Sequence, residues 1–152
     1  MKKLSMSLVF ISLLAAVQTF GADSAQTTQE KNKKIVRDFY EMAFNQHKPT
    51  EAVKKYIGDT YIQHNPHVPN GAQAFYSYFE GYFKANPKSH VIFAHVLAEG
   101  DLVVLHLNSK KDDQDPGRAI VDIFRLENGK IVEHWDVVQE VPAKTASGNT
   151  MF

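Results

Sequence analysis

Two strand-like segments joined by Asn128-Gly129 constrain this chain more than any other feature. Residues 119–139 are AIVDIFRLENGKIVEHWDVVQ, and runs rich in Val, Ile and aromatic residues favour β-strands. Asn-Gly suits the left-handed positions of a tight two-residue turn, so the segment is predicted to form a β-hairpin. We expect the rest of the chain to be arranged around it.

Asp122 lies in the first strand of this hairpin, inside an otherwise apolar run. Side chains alternate across a strand, so Ile120, Asp122 and Phe124 share one face. A carboxylate is costly to bury unless it is paired, hydrogen-bonded or protonated. Asp122 is therefore the best single candidate for a catalytic residue.

The second strand carries His134, Trp135 and Asp136. Either Glu133 and Trp135 or His134 and Asp136 share the face of Asp122, and the pattern alone leaves both arrangements open. Trp135 is most often a core or pocket-wall residue. The three residues together are also consistent with simple cross-strand packing.

The N-terminal residues have the pattern of a secretory signal peptide. Lys2-Lys3 precede an apolar run over residues 8–17, and small residues follow. We predict a signal peptide over residues 1–24, a domain over 25–141 and a flexible tail over 142–152. The apolar run is short for a membrane span. We therefore expect no stable span after processing, and a periplasmic or secreted protein.

Composition narrows the classes of function. The chain has 152 residues, of which 43% are hydrophobic, enough for one globular domain. Lys+Arg and Asp+Glu are equal at 17 each, so no basic excess favours nucleic acid. Cysteine is absent, which excludes disulfides, thiolate metal sites and a cysteine nucleophile.

Helices are predicted in the first part of the chain and strands in the second. Apolar spacing indicates helices over about 29–44, from Thr50 to Gly58, and from Asn70 to residue 86. Strands are predicted over 89–98, 101–109, 118–126 and 130–139. The fold class is α+β, in which three helices cover a curved, mostly antiparallel sheet and leave a cone with an apolar pocket.

Two histidines are candidate partners of Asp122 in that pocket. His106 interrupts an apolar strand, and His64 ends the short strand before Pro66. A carboxylate in an apolar cavity can move protons at ambient pH, and a histidine can orient it or act as the acid. Such a set suits proton abstraction next to a carbonyl group.

Structural roles for these residues stay open. Asp122 is alternatively a buried acid that accepts structural hydrogen bonds, and His106 a satisfied strand histidine. His64 is equally compatible with a role in the turn before the third helix. A zinc set of His64, His106, Asp122 and His134 has suitable ligand types but no local metal-binding spacing, so no metal is predicted.

Three segments together resemble the SnoaL-like branch of the nuclear transport factor 2-like superfamily. They are YIQHNPHVPNGAQAFYSYF, AEGDLVVLHLNSK and AIVDIFRLENGKIVEHWDVVQ, and the similarity covers about residues 31–139. The resemblance implies a cystatin-like α+β cone that often dimerises through its sheet. Polyketide cyclases of the branch close rings by an aldol reaction with an acid/base aspartate, which corresponds to Asp122. His64 and His106 would line the pocket.

We therefore expect a cofactor-free lyase, isomerase or aldol-type cyclase acting on a small hydrophobic carbonyl compound. The expected catalytic residues are Asp122, His106 and His64. The expected substrate-binding residues are Trp135, Phe124, Tyr61, His134 and Phe79. The alternative is a non-catalytic domain that binds a small hydrophobic ligand. A homodimer is expected through an outer sheet face carrying Val103, Leu105 and Leu107.

Overall fold

The structure is a computed structural model that describes the backbone of residues 11–152 and the side chains from residue 26 onward. The predicted signal peptide begins in residues 1–10, which lie outside the described residues. The later part of that segment belongs to helix α1, which spans Ile11–Tyr40. Cleavage and export stay predictions.

Two shorter helices follow α1. The chain continues from α1 into a π-helical turn at Glu41–Asn45, and α2 spans Pro49–Tyr56. Pro49 begins α2 because its fixed φ suits a first helical position. The helix therefore begins one residue before Thr50, where we expected it to start, and the Thr50 hydroxyl donates a hydrogen bond to Glu80 over 2.5 Å. Helix α3 spans Ala72–Ala85.

Five strands form one open sheet in the spatial order β1-β5-β4-β3-β2. The strands are β1 Ile57–Gln63, β2 His90–Glu99, β3 Leu102–Lys110, β4 Arg118–Glu127 and β5 Lys130–Glu140. Strand β1 pairs parallel to β5, and the other pairs are antiparallel. The predicted α+β class and the predicted hairpin, β4 with β5, are confirmed.

The core lies between the helices and one face of the sheet. Phe39 of α1 packs edge-on against Phe124 of β4, with ring centroids 6.3 Å apart. Val103, Leu105 and Leu107 of β3 are fully buried in this core. Our assignment of these three residues to the outer face was wrong, because β3 pairs Leu105 opposite Asp122 and so shares its inward face.

The outer face of the sheet carries the side chains that alternate with the inward-facing ones. Its exposed apolar side chains include Ile92, Leu97, Leu102, Val121 and Val137. The C-terminal tail returns to this face, where Phe152 stacks on His106 at 5.5 Å between ring centroids. Its flexibility stays a prediction. Among the described residues, no helix is both long enough and apolar enough to cross a membrane.

Candidate active site

A cavity of about 480 Å³ opens between the helices and the inward face of the sheet. Helix α3 and the neighbouring π-helical turn supply aromatic side chains, because their apolar positions recur at helical spacing and face the sheet. The lining includes Phe44, Phe75, Phe79, Tyr78 and Tyr82. Strands β3, β4 and β5 supply the opposite wall. The wall is mainly aromatic and aliphatic, and its charged side chains lie on strands β4 and β5.

Asp122 and His134 form a buried pair in this wall. Asp122 is 2% exposed and His134 is 7% exposed. Asp122 Oδ1 lies 2.9 Å from His134 Nε2. Asp122 Oδ2 is buried, and no group among the described residues meets it with hydrogen-bond geometry. Because an unpaired buried carboxylate oxygen is costly, Oδ2 is the atom most ready to accept a proton or a hydrogen bond from a ligand.

Gln63 determines which nitrogen of His134 carries hydrogen. The backbone N–H of Asn65, which can only donate, lies 2.9 Å from Gln63 Oε1 and identifies that atom as the amide oxygen. The same oxygen lies 2.7 Å from His134 Nδ1. Nδ1 must therefore carry the hydrogen, and Nε2 is directed at Asp122.

One further proton must lie between Asp122 and His134. If it resides on Nε2, the pair is an imidazolium and a carboxylate. If it resides on Oδ1, the pair is a neutral imidazole and a carboxylic acid. Both states have no net charge, which suits the buried position. The arrangement can therefore move one proton between its two members without creating a net buried charge.

Two tyrosines extend this polar cluster. Burial, then the charge of Asp122 and the close approach of the phenol to its carboxylate, raise the pKa of Tyr40 well above its ordinary value. Burial, and then the charge of Asp122, raise the pKa of Tyr61. Both phenols therefore stay protonated at neutral pH and can donate hydrogen bonds into the cavity that they line.

Asp136 lies beside the pair and completes an acidic end of the cavity. Its Oδ2 accepts a hydrogen bond from Asn65 Nδ2 over 2.6 Å. Ligand atoms of Asp122, His134 and Asp136 all lie within 4.8 Å of one another, so these residues are the described set that could hold a cation. The zinc set that we considered from the sequence is not assembled, because His64 and His106 lie elsewhere.

His106 does not reach the cavity, so the expected pairing with Asp122 is wrong. In the β3–β4 register Leu105 lies opposite Asp122, and His106 lies opposite Val121. Alternation then directs His106 to the outer face. There its ring stacks on His95 at 5.6 Å between centroids.

His64 and Trp135 also lie on the outer face, contrary to expectation. Their rings stack at 4.8 Å between centroids. His64 Nε2 lies 2.9 Å from Glu133 Oε1, and Arg125 Nε donates to Glu133 Oε2 over 2.7 Å. His64, then Arg125, lower the pKa of Glu133. These residues are a surface ion-pair group and do not line the cavity.

Five of the eight predicted site residues do line the cavity: Asp122, Phe124, Tyr61, His134 and Phe79. Phe124 stacks on His134 with ring centroids 4.7 Å apart. Sequence reasoning did not single out Gln63, Tyr40 or Arg118. Gln63 lies one residue before His64 in the segment already identified, and its pairing with His134 depends on the parallel β1–β5 register.

Comparison with known proteins identifies the family. The SnoaL-like domain family matches residues 36–134. That range contains both Asp122 and His134 and covers most of the residues that form the cavity wall. A comparison with curated protein sequences found no match.

Solved structures share the fold at low sequence identity. TsrD from Streptomyces laurentii is 18% identical with a TM-score of 0.58, over 73% of this chain and 90% of that one. A SnoaL-like protein of unknown function from Burkholderia thailandensis is 17% identical with a TM-score of 0.62, over 73% and 96%. A candidate polyketide cyclase from Acidithiobacillus ferrooxidans is 19% identical with a TM-score of 0.59, over 72% and 88%. These similarities establish the fold alone.

Proposed function

This chain belongs to the SnoaL-like domain family, and from that premise we propose that it is a cofactor-free acid/base enzyme acting on a small carbonyl compound. The observation that carries the proposal is the state of the Asp122 carboxylate in a largely apolar cavity. One of its oxygens contacts His134, and the other has no hydrogen-bond partner among the described residues. Such an oxygen suits removal of a proton from the carbon next to a carbonyl group.

The first step is proton abstraction. Oδ2 of ionised Asp122 takes the α-proton, the C–H bond breaks, and its electron pair delocalises to make an enolate. His134 holds the other carboxylate oxygen through Nε2. Tyr40 and Tyr61 line the cavity and can donate hydrogen bonds to the developing enolate oxygen.

The second step returns the proton or makes a bond. If the enolate is conjugated with a C=C bond and the Asp122 carboxylic acid returns the proton to the far carbon of that system, the double bond moves and the result is an isomerisation. If the enolate carbon attacks a second carbonyl in the same molecule, a C–C bond forms and Asp122 protonates the resulting alkoxide. The second outcome is an aldol-type ring closure, the reaction suggested by polyketide cyclase-like relatives.

A non-catalytic ligand-binding role is the second candidate function. It is favoured by the aromatic lining, since rings such as Phe44 and Phe79, which pack edge-to-face with centroids 4.8 Å apart, offer an apolar surface without reacting groups. This role would use the same cavity but would not require a proton acceptor.

We propose export on the basis of the N-terminal pattern, with a periplasmic or secreted destination. We also propose a homodimer through the outer face of the sheet. Support for the dimer comes from Val137 and Leu97, which are 71% and 62% exposed on that face. Large exposed apolar side chains in one continuous face favour association.

The test is α-proton exchange, which needs no knowledge of the natural substrate. 2-Acetylnaphthalene, an aryl methyl ketone suited to an aromatic cavity, is incubated with the protein in D₂O, and loss of the methyl signal is followed by proton NMR. We expect the wild-type protein to accelerate exchange over buffer. Asp122→Asn should lower that rate about 100-fold, since removal of a general base typically costs this much.

The matched control is Asp101→Asn, which changes an exposed acid in the turn before β3. It should exchange at the wild-type rate. Retention of the full rate by a folded Asp122→Asn protein would refute the catalytic role. Binding of the ketone without exchange by the wild-type protein would favour the ligand-binding role.

A further inference from the structure

Arg118 lines the same cavity, at a distance from the Asp122–His134 pair. It begins β4 and is half-buried. Arg118, Ile120 and Asp122 alternate onto one face of the strand, and all three contribute to the cavity lining. Four residues of extended strand separate Arg118 from Asp122 by about 13 Å between Cα atoms.

Arg118 is not neutralised by any acidic side chain in the described part of the chain. Among the residues whose side chains the structure describes, none makes an ion pair with it. Asp115 is nearby in sequence, but its carboxylate accepts the backbone N–H groups of Lys111 and Gly117, at 2.8 and 3.0 Å. Glu140 lies opposite Arg118 in the β4–β5 register and is exposed to solvent.

Two hydroxyl-bearing residues line the cavity beside Arg118. Tyr82 of α3 and Ser109 of β3 line the cavity with Arg118, and Ser109 lies opposite it in the β3–β4 register. Burial raises the pKa of Tyr82, and the Arg118 guanidinium opposes that rise, which identifies the two groups as neighbours. A half-buried guanidinium among hydroxyl donors has unused capacity to bind an anion.

The opposite end of the cavity has the opposite charge character. Asp122 and Asp136 are both there, and Ile120 and Leu107 lie on the wall between the two ends. A ligand anion at the acidic end would meet the carboxylate of Asp136 beside the Asp122–His134 pair, whereas at Arg118 it would meet a cation without an ion-pair partner among the described residues. The cavity can therefore orient a ligand by charge.

We propose that Arg118 binds the carboxylate of an organic acid whose apolar body lies along Ile120 and whose carbonyl end lies at Asp122. The placement of the ligand carbonyl at Asp122 rests on the function proposed above, while the binding of the ligand carboxylate by Arg118 does not. The substrate class is accordingly a keto acid with an apolar segment long enough to separate its two functional groups. Arg118 is a specificity-determining residue in this scheme.

The test compares two ligands of nearly equal shape, 2-naphthoate and its neutral amide, 2-naphthamide. Their dissociation constants are measured by equilibrium dialysis against the full chain. We expect the wild-type protein to bind the carboxylate about tenfold more tightly than the amide, as a half-exposed charge-assisted pair would provide. Arg118→Gln should abolish this preference, and Arg118→Lys should keep part of it.

Lys54→Gln is the matched control, because it removes an exposed cation on α2 outside the cavity lining. It should keep the full preference. Equal binding of both ligands by the wild-type protein, no binding of the carboxylate, or a preference that persists in folded Arg118→Gln would each overturn the inference. Circular dichroism establishes that each variant is folded.

The outcome is separable from the catalytic proposal. Asp122→Asn removes proton exchange without touching Arg118, so it should keep the preference for 2-naphthoate. A wild-type protein that accelerates exchange but binds both ligands equally would reject the carboxylate site alone. A wild-type protein that prefers the carboxylate but does not accelerate exchange would reject the enzymatic role alone.

Discussion

His134 donates the hydrogen on its Nδ1 to Gln63 Oε1 over 2.7 Å, between residues paired directly across the parallel strands β1 and β5. The contact places the remaining nitrogen, Nε2, 2.9 Å from Asp122. The amide oxygen of Gln63 thus fixes the hydrogen on Nδ1 of His134 and leaves Nε2 to face Asp122, although Gln63 is not itself part of the Asp122–His134 contact.

Gln63→Leu should release His134 from that tautomer. Without the acceptor, nothing favours hydrogen on Nδ1, and the imidazole loses the contact that fixes its ring orientation against Asp122. We expect α-proton exchange to fall about tenfold or more, as for loss of a residue that orients a catalytic histidine. Nitrogen-15 NMR of the imidazole should show Nδ1–H in the wild-type protein and a tautomer mixture in the variant.

Gln63→Glu is the control for this prediction, since a carboxylate oxygen still accepts from Nδ1. It should keep the Nδ1–H signal. A neutral Nε2–H tautomer in the wild-type protein would contradict the assigned hydrogen-bond direction. Unchanged exchange in folded Gln63→Leu would restrict Gln63 to a structural role.

Stability should fall at high pH because of Tyr40 and Tyr61. Their folded-state pKa values are raised by burial and by the Asp122 charge, so the folded state retains protons that the unfolded state loses above about pH 10. The stabilisation is complete below that pH and is lost as pH rises further. Each tyrosine can contribute up to about 1.4 kcal/mol per pH unit.

Urea denaturation at about pH 8 and about pH 11 measures this effect. Tyr40→Phe should reduce the drop in unfolding free energy between the two pH values, because the Tyr40 proton is no longer there to be released on unfolding. Tyr78→Phe, which removes an exposed phenol, should leave the drop unchanged. An equal drop in all three proteins would contradict the prediction.

Gly117→Ala should destabilise the chain more than other glycine substitutions. Gly117 has a φ of +83°, and an added Cβ would overlap Asn108 Oδ1 and lie 2.7 Å from the carbonyl oxygen of Ser109. Backbone strain alone costs about 1–2 kcal/mol, and the overlap adds to it. Thermal unfolding and urea midpoints of the purified variant measure the loss.

Gly100→Ala is the matched control, because Gly100 also has a positive φ, +60°, but nothing lies within 4 Å of an added Cβ. It should show the strain cost without the overlap. Equal destabilisation by the two substitutions would mean that the contacts around Gly117 relax freely.

Val137→Glu should break the proposed dimer. Val137 is the most exposed large apolar side chain among the described residues, at 71%, and a charge there would be buried in the interface. Light scattering should give a two-subunit mass for the wild-type protein and a one-subunit mass for the variant. Lys54→Glu, on α2 away from the sheet, should keep the wild-type mass.

A one-subunit mass for the wild-type protein at micromolar concentration would remove the dimer. The cavity would be unaffected, because its lining residues come from one chain. The carboxylate preference and the exchange assay can therefore be evaluated whatever the mass.

Local sequence determined the elements and the burial of the central acid. Asn128-Gly129 forms the predicted turn, with Asn128 at φ +50° and Gly129 at +75°, and β4 and β5 end within a residue or two of their predicted bounds. These features follow from alternation and turn chemistry, which act between neighbours. For the same reason, an aspartate in an apolar run could be identified before any contact was known.

Only the tertiary structure decided which strand faces meet in the cavity. Side chains alternate with a period of two, so a shift of one residue in pairing exchanges His106 for Leu105 opposite Asp122. Irregular pairing between Phe93 and His95, and between Arg125 and Leu126, makes that register hard to infer from alternation. Helix packing on the inward face and the parallel β1–β5 pairing then select His134 over Trp135, because those contacts join residues far apart in the chain.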